Sequence, residues 1–167
     1  MNDLPLHPAV VHIPLGLAFA MPFVAIALAV AVWKGKLPRG ALAVVAGLQL
    51  LLAGSGFVAM ALGDGEAERA DQIAPKNAIH DHEEAAETFV WFSVGVLAVS
   101  IAALFVPARR APIVAAVVAA GTLAGVALAV DAGRKGGELV FRYGAGSHAE
   151  PGPAPAVAPA PAPAHGG

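Results

Sequence analysis

The sequence predicts an all-α integral membrane protein: a four-helix bundle with antiparallel neighbours and both termini on one side, the extracytoplasmic one. Three observations carry this reading. Apolar residues make up 57% of the 167 and charged residues only 13%, with a mean hydropathy of +0.70, too little charge to cover the surface of a soluble domain. Four stretches, 13–33, 41–62, 88–106 and 111–130, contain no Asp, Glu, Lys or Arg, and each has about the 20 residues that a helix needs to cross the hydrocarbon core. The turns joining the first to the second stretch and the third to the fourth are short and basic.

Residues 1–12 form an outer N-terminal segment. It carries Asp3 and no Lys or Arg, so the first span lacks the positive region of a secretory signal and reads as a retained helix. Pro14 and Pro22 lie in that span, where each removes a backbone hydrogen bond and favours a bend. The turn at 33–40 holds Lys34, Lys36 and Arg39, and the turn at 107–110 holds Arg109 and Arg110. Short loops rich in Lys and Arg stay in the cytoplasm, which places 1–12, 63–87 and everything after 130 outside. Arg134 and Lys135 argue the other way, but an even number of spans keeps both ends together in either orientation.

The spans themselves are sparingly polar, with Gln49 accompanied by Ser55, Ser93, Ser100 and Thr122. Gly121 and Gly125 form a Gly-x-x-x-Gly pair that permits close helix approach, within the bundle or in a dimer, and Gly47 and Gly54 add small surface to the second span. The loop 63–87 sets Asp64, Glu66, Glu68, Asp71, Asp81, Glu83, Glu84 and Glu87 against Arg69 and Lys76; it is a solvated acidic loop or the cover of a cation site. Residues 131–150, rich in glycine and bearing Leu139, Val140 and Phe141, read as a flap over the outer mouth of the 13–130 bundle, with Glu138, Tyr143 and His148 near the histidines. Residues 151–167 alternate Pro and Ala and read as a disordered tail, in which His165 is incidental.

Several chemistries are excluded. There is no cysteine, hence no disulfide, thiolate metal site or covalently attached haem. The net charge of -2 comes without a basic run, so nucleic acid is not a partner. No nucleophile, base and orienting group stand together, and the chain is not expected to be a stand-alone enzyme.

What remains is histidine. His7, His12, His80, His82 and His148 all fall at or beyond the same membrane surface in a four-span arrangement. Imidazole binds transition metals or haem iron, carries protons near neutral pH, or simply hydrogen-bonds at an interface. His7 and His12 differ by about 140° on a straight helix, so both face one centre only if regular helix begins after His7, as Pro8 favours. Asp81 and Glu84 have capping-box spacing, so a helix starting at Asp81 leaves His80 in the preceding turn. An earlier start makes His80 and Glu84 a pair one turn apart that can share a metal. His12 and His80 are the leading cofactor-binding pair, for haem b or a transition metal. The wider metal set is His7, His12, His80, His82 and Glu84.

These elements together resemble the bacterial membrane proteins grouped as domain of unknown function 2231. Leu6-His7-Pro8-Ala9-Val10-Val11-His12-Ile13-Pro14 is similar to that family's Leu-His-Pro-x-x-Val-His-Phe-Pro opening. His80 in Ile79-His80-Asp81-His82-Glu83 resembles its histidine at the start of the third span, and residues 136–146 resemble its Gly-Gly-x-Leu-Val-Tyr-x-x-Gly-x-Gly close. The likeness covers roughly 5–146. It departs where a common form has further histidines, at positions that here read Arg134 and Tyr143, so any site built on those histidines is absent. The resemblance implies a multi-pass protein of the bacterial cytoplasmic (inner) membrane. It also implies an association with respiratory or redox membrane proteins.

The leading functional expectation is therefore an accessory redox protein holding haem or a transition metal at its outer surface. A small-solute or proton transporter is the first alternative, weakened by the lack of a charged residue inside the spans. A structural subunit of a membrane complex is the second. Whichever holds, the lipid bilayer is the primary partner.

Overall fold

The computed structural model describes residues 10–145, except for the side chains of 66–69. His7, His148, His165 and the 151–167 tail lie outside the described residues. The chain forms α1 (His12–Trp33), one turn of 3-10 helix (Arg39–Leu42), α2 (Ala43–Ala70), α3 (Lys76–Ala103) and α4 (Ala111–Phe141). All four α-helices are long and apolar enough to cross a membrane.

Each helix packs on the next, and α4 returns to pack on α1. The result is a closed square with α1 opposite α3 and α2 opposite α4. On α4, Gly121, Gly125 and Gly136 approach Val96, Phe92 and His82 of α3, so residue numbers rise on one helix as they fall on the other, and the pair is antiparallel. Gly35, at φ +66°, makes the first turn possible. It lets the Lys36 N–H reach back to the Ala31 carbonyl at 2.8 Å and the Gly35 N–H to Val32 at 3.0 Å, closing α1 with the paired bonds that a left-handed glycine favours. Arg39 donates to the Val106 carbonyl, which draws both basic turns to one end of the bundle. Leu42, Ala103 and Ala115 seal that end against Leu28, Ala29 and Val32.

The side-chain distribution is inverted relative to a soluble bundle. Alanine, valine and one methionine fill much of the core, whereas Phe23 is 78% exposed, Phe105 79% and Trp33 71%. Such a surface suits contact with hydrocarbon. The hydroxyls inside are satisfied within their own helices: Ser93 donates to Phe89, Ser100 to Val96 and Thr122 to Ala119, at 2.7–2.8 Å. Gln49 instead crosses between helices, its amide Nε2 donating to the Ser93 carbonyl at 3.1 Å.

Three expectations change in detail. The second apolar stretch continues as helix to Ala70 and the third begins at Lys76, so the loop expected over 63–87 shrinks to a turn at 71–75. Pro75 is the reason: it is an extended N-cap whose carbonyl accepts from Ala78 at 2.9 Å and Ile79 at 3.3 Å, and a proline at a helix start sacrifices no intrahelical donor. The capping-box pair Asp81 and Glu84 consequently lies inside α3. The last span likewise runs through Gly136 and Gly137 to Phe141, so the flap expected over 131–150 is helix as far as 141. Leu139 is buried there with Ala74 and Ile79, and that contact favours continued helix over a hairpin.

Close approach between α2 and α3 depends on Gly56, where an added Cβ would sit 2.8 Å from Val90 Cγ2. Gly47 and Gly54, singled out in the sequence, face outward with nothing within 4 Å. Gly121 and Gly125 belong to the α3–α4 contact, at 3.1 Å from Val96 and 3.9 Å from Phe92 for an added Cβ. We expect Gly56→Ala to destabilise the protein by about 1–3 kcal/mol through overpacking. Gly47→Ala should be neutral or slightly stabilising, since alanine is the better helix former. Thermal unfolding in detergent, followed by circular dichroism, reads both; equal melting temperatures for the two variants would contradict this packing.

Candidate functional site

At the end away from the basic turns, α2, α3 and α4 run past the apolar stretches. The extension of α4 from Asp131 to Phe141 is about 15 Å long at 1.5 Å per residue. Here α3 presents Asp81, Glu83, Glu84 and Glu87, while α4 carries Asp131 paired to Arg134 at 3.1 Å and Lys135 at 2.8 Å. Glu138 hydrogen-bonds Arg142 at 2.6 Å and, with the nearby Tyr143, holds that guanidinium above its ordinary value. Lys76 faces Asp71 across the 71–75 turn at 3.7 Å. These pairs sit on exposed surface, where ion pairs contribute little to stability. Their consequence is to neutralise the cations of α4 locally and leave the α3 side acidic.

His80 and His82 both lie in the opening turns of α3, but two residues on a helix differ by about 200°. His80 is exposed, and Glu84 follows it one turn later, also exposed. His82 is half-buried and turned toward α4. Its Nδ1 lies 3.2 Å from the Ala132 carbonyl. A carbonyl only accepts, so Nδ1 must carry the proton, and the neutral ring then has its lone pair on Nε2. The ring rests on the backbone of α4 at Gly136, where an added Cβ would fall 2.9 Å from Cε1 and 3.3 Å from Nδ1. Gly136 thus acts as a seat for imidazole rather than as a loop hinge.

His12 opens α1 and is exposed. It stands nearly two helical turns, about 9 Å, outward of Ala18, a buried core residue, and so shares an end with His80 and His82. The pair expected to form one centre, His12 and His80, occupies diagonally opposite helices, and both residues are exposed. His82 is the histidine that the fold directs inward and orients. Among the described residues no three His, Asp or Glu side chains gather closely enough to hold a metal ion; His7, the remaining member of the expected set, lies outside them.

The role of Gly136 was hidden because the paired glycines read equally well as a flexible flap. Ala132, which supplies the carbonyl, leaves no sequence signal, since any residue has a backbone oxygen.

The chain belongs to the family described as predicted membrane protein (DUF2231), whose model matches residues 3–149. No curated protein matches the chain significantly, and no solved structure does.

Substitution at the seat tests the arrangement directly. Gly136→Ala should displace the His82 ring from Ala132, at a cost of about 1–3 kcal/mol. The nitrogen shifts of the His82 imidazole should lose their protonated-Nδ1 signature. Gly137→Ala meets only Phe141, at 4.0 Å, and should leave that signature intact. Indistinguishable imidazole spectra for the two variants would refute the seat.

Proposed function

We propose that this protein is an accessory component of a bacterial cytoplasmic membrane that holds a transition-metal ion or haem iron through histidine at its outer mouth. In this reading His82 is the lead ligand through Nε2, and His12 or His7 completes the site; His80 and Glu84, one turn apart on the opposite side of α3, form a separate option as a metal-binding pair. The observation that supports it is the fixed orientation of the His82 imidazole. Histidines that bind metals commonly donate their other ring N–H to a backbone carbonyl or carboxylate, which sets the tautomer and raises the basicity of the ligating nitrogen. The bond to Ala132 and the seat at Gly136 supply that orientation.

Two further features favour this function. Among the described residues, two cavities between the spans, of about 10 Å³ each, have room for a water and not for a porphyrin, so in this reading a haem lies at the mouth. The acidic face of α3 attracts cations toward the same end. With the basic turns in the cytoplasm, the histidine end faces outward, where a soluble or membrane-bound redox partner can reach it.

Untagged protein purified after growth with iron, copper and zinc and with haem supply should carry a stoichiometric metal or haem, read by elemental analysis and visible spectroscopy. His82→Ala should abolish it, and Gly136→Ala should lower affinity by roughly 10–100-fold, as loss of an orienting contact does. His12→Ala and His7→Ala identify the second ligand. Native protein without any stoichiometric cofactor, or retention of full occupancy in His82→Ala, overturns this assignment.

A further inference from the structure

The middle of the bundle contains a second polar feature, separate from the histidines. Gln49 is only 3% exposed, and its amide orientation is settled by its neighbour: the Ser93 carbonyl accepts, so Nε2 must face it and Oε1 must point elsewhere. Among the described residues no protein donor reaches Oε1. Gln49 lines a cavity of about 10 Å³ together with Thr122 of α4, and Gly121, Gly125 and Phe92 form part of its wall. The Thr122 hydroxyl spends its hydrogen on the Ala119 carbonyl at 2.7 Å, which leaves its oxygen lone pairs to accept.

The chamber therefore offers two acceptors and no charged side chain, in a volume suited to one water-sized molecule. A metal cation would require several converging oxygens, and an apolar gas would leave a buried carbonyl unsatisfied. We propose that this cavity is a binding site for a single water molecule. That water donates one hydrogen bond to Gln49 Oε1 and the other to Thr122 Oγ1. Gln49 is bonded directly to α3, so the water extends the same network to α4 and braces α2 to the helix diagonally opposite it. Gly121 and Gly125 contribute by withholding side chains from the chamber.

The test uses the full-length, isotope-labelled protein in detergent micelles. Rotating-frame and laboratory-frame cross-relaxation between water and the Gln49 side-chain amide distinguish a bound water from proton exchange by the sign of the peak. The amide is assigned by its disappearance in Gln49→Leu. A bound-water peak is expected in the native protein and should be lost in Thr122→Val, which keeps the shape of the side chain but removes the second acceptor. Should that variant fail to fold, Gly125→Ala serves instead. Its added methyl meets only Phe92 at 3.9 Å, an ordinary contact, and it should diminish the peak by filling part of the chamber. Absence of the peak in the native protein, or an undiminished peak in the folded variant, overturns the proposal.

Discussion

Hydrocarbon cannot hydrogen-bond a peptide group, and every other feature of this molecule follows from that constraint. A backbone crossing lipid must satisfy its own donors and acceptors, which permits helices here and forbids irregular chain between 13 and 33 or between 111 and 130. The same solvent reverses the usual sorting of side chains. Phe23, Phe105 and Trp33 point outward, and alanine, glycine and valine occupy the contacts between helices. Because lipid tails are as apolar as the side chains they meet, helix association depends on closeness of fit. Gly56 against Val90 and Gly121 against Val96 are where that fit is tightest.

Polar groups inside such a bundle need partners close at hand. Serine and threonine find them one turn back on their own helix, a solution that leaves interhelical contacts apolar. Gln49 is too long for that and reaches the α3 backbone instead, making it the main polar link between spans. At the water-exposed end the problem relaxes. The helices extend past the apolar stretches, charges appear, and His82 can use a carbonyl of α4 to fix its imidazole. The histidine end and the Gln49 chamber are thus two answers to one requirement, set at different depths.

Much of the architecture was readable from charge alone. Four uncharged stretches and two basic turns already specify spans, connectivity and the gathering of His12, His80 and His82 at one end, and Arg39 donating to Val106 agrees with the pairing of those turns. The extent of the helices was not readable. Glycine at 136 and 137 and eight acids around 63–87 are locally more compatible with loop than with helix, yet burial of Leu139 against Ala74 and Ile79 favours helix on both sides of the 71–75 turn. Local preference loses there because it is worth less than the packing it would forgo.

The amino-acid sequence by itself determined that this chain lives in a membrane as four helices, because hydropathy summed over twenty residues is a property of composition and needs no partner. Which glycine receives a neighbour, which histidine turns inward and which nitrogen holds its proton were decided only by tertiary structure. Gly56 and Gly47 are chemically identical, as are His80 and His82. What separates them is rotation about the helix axis relative to an adjacent helix, and that angle exists only once the helices have packed.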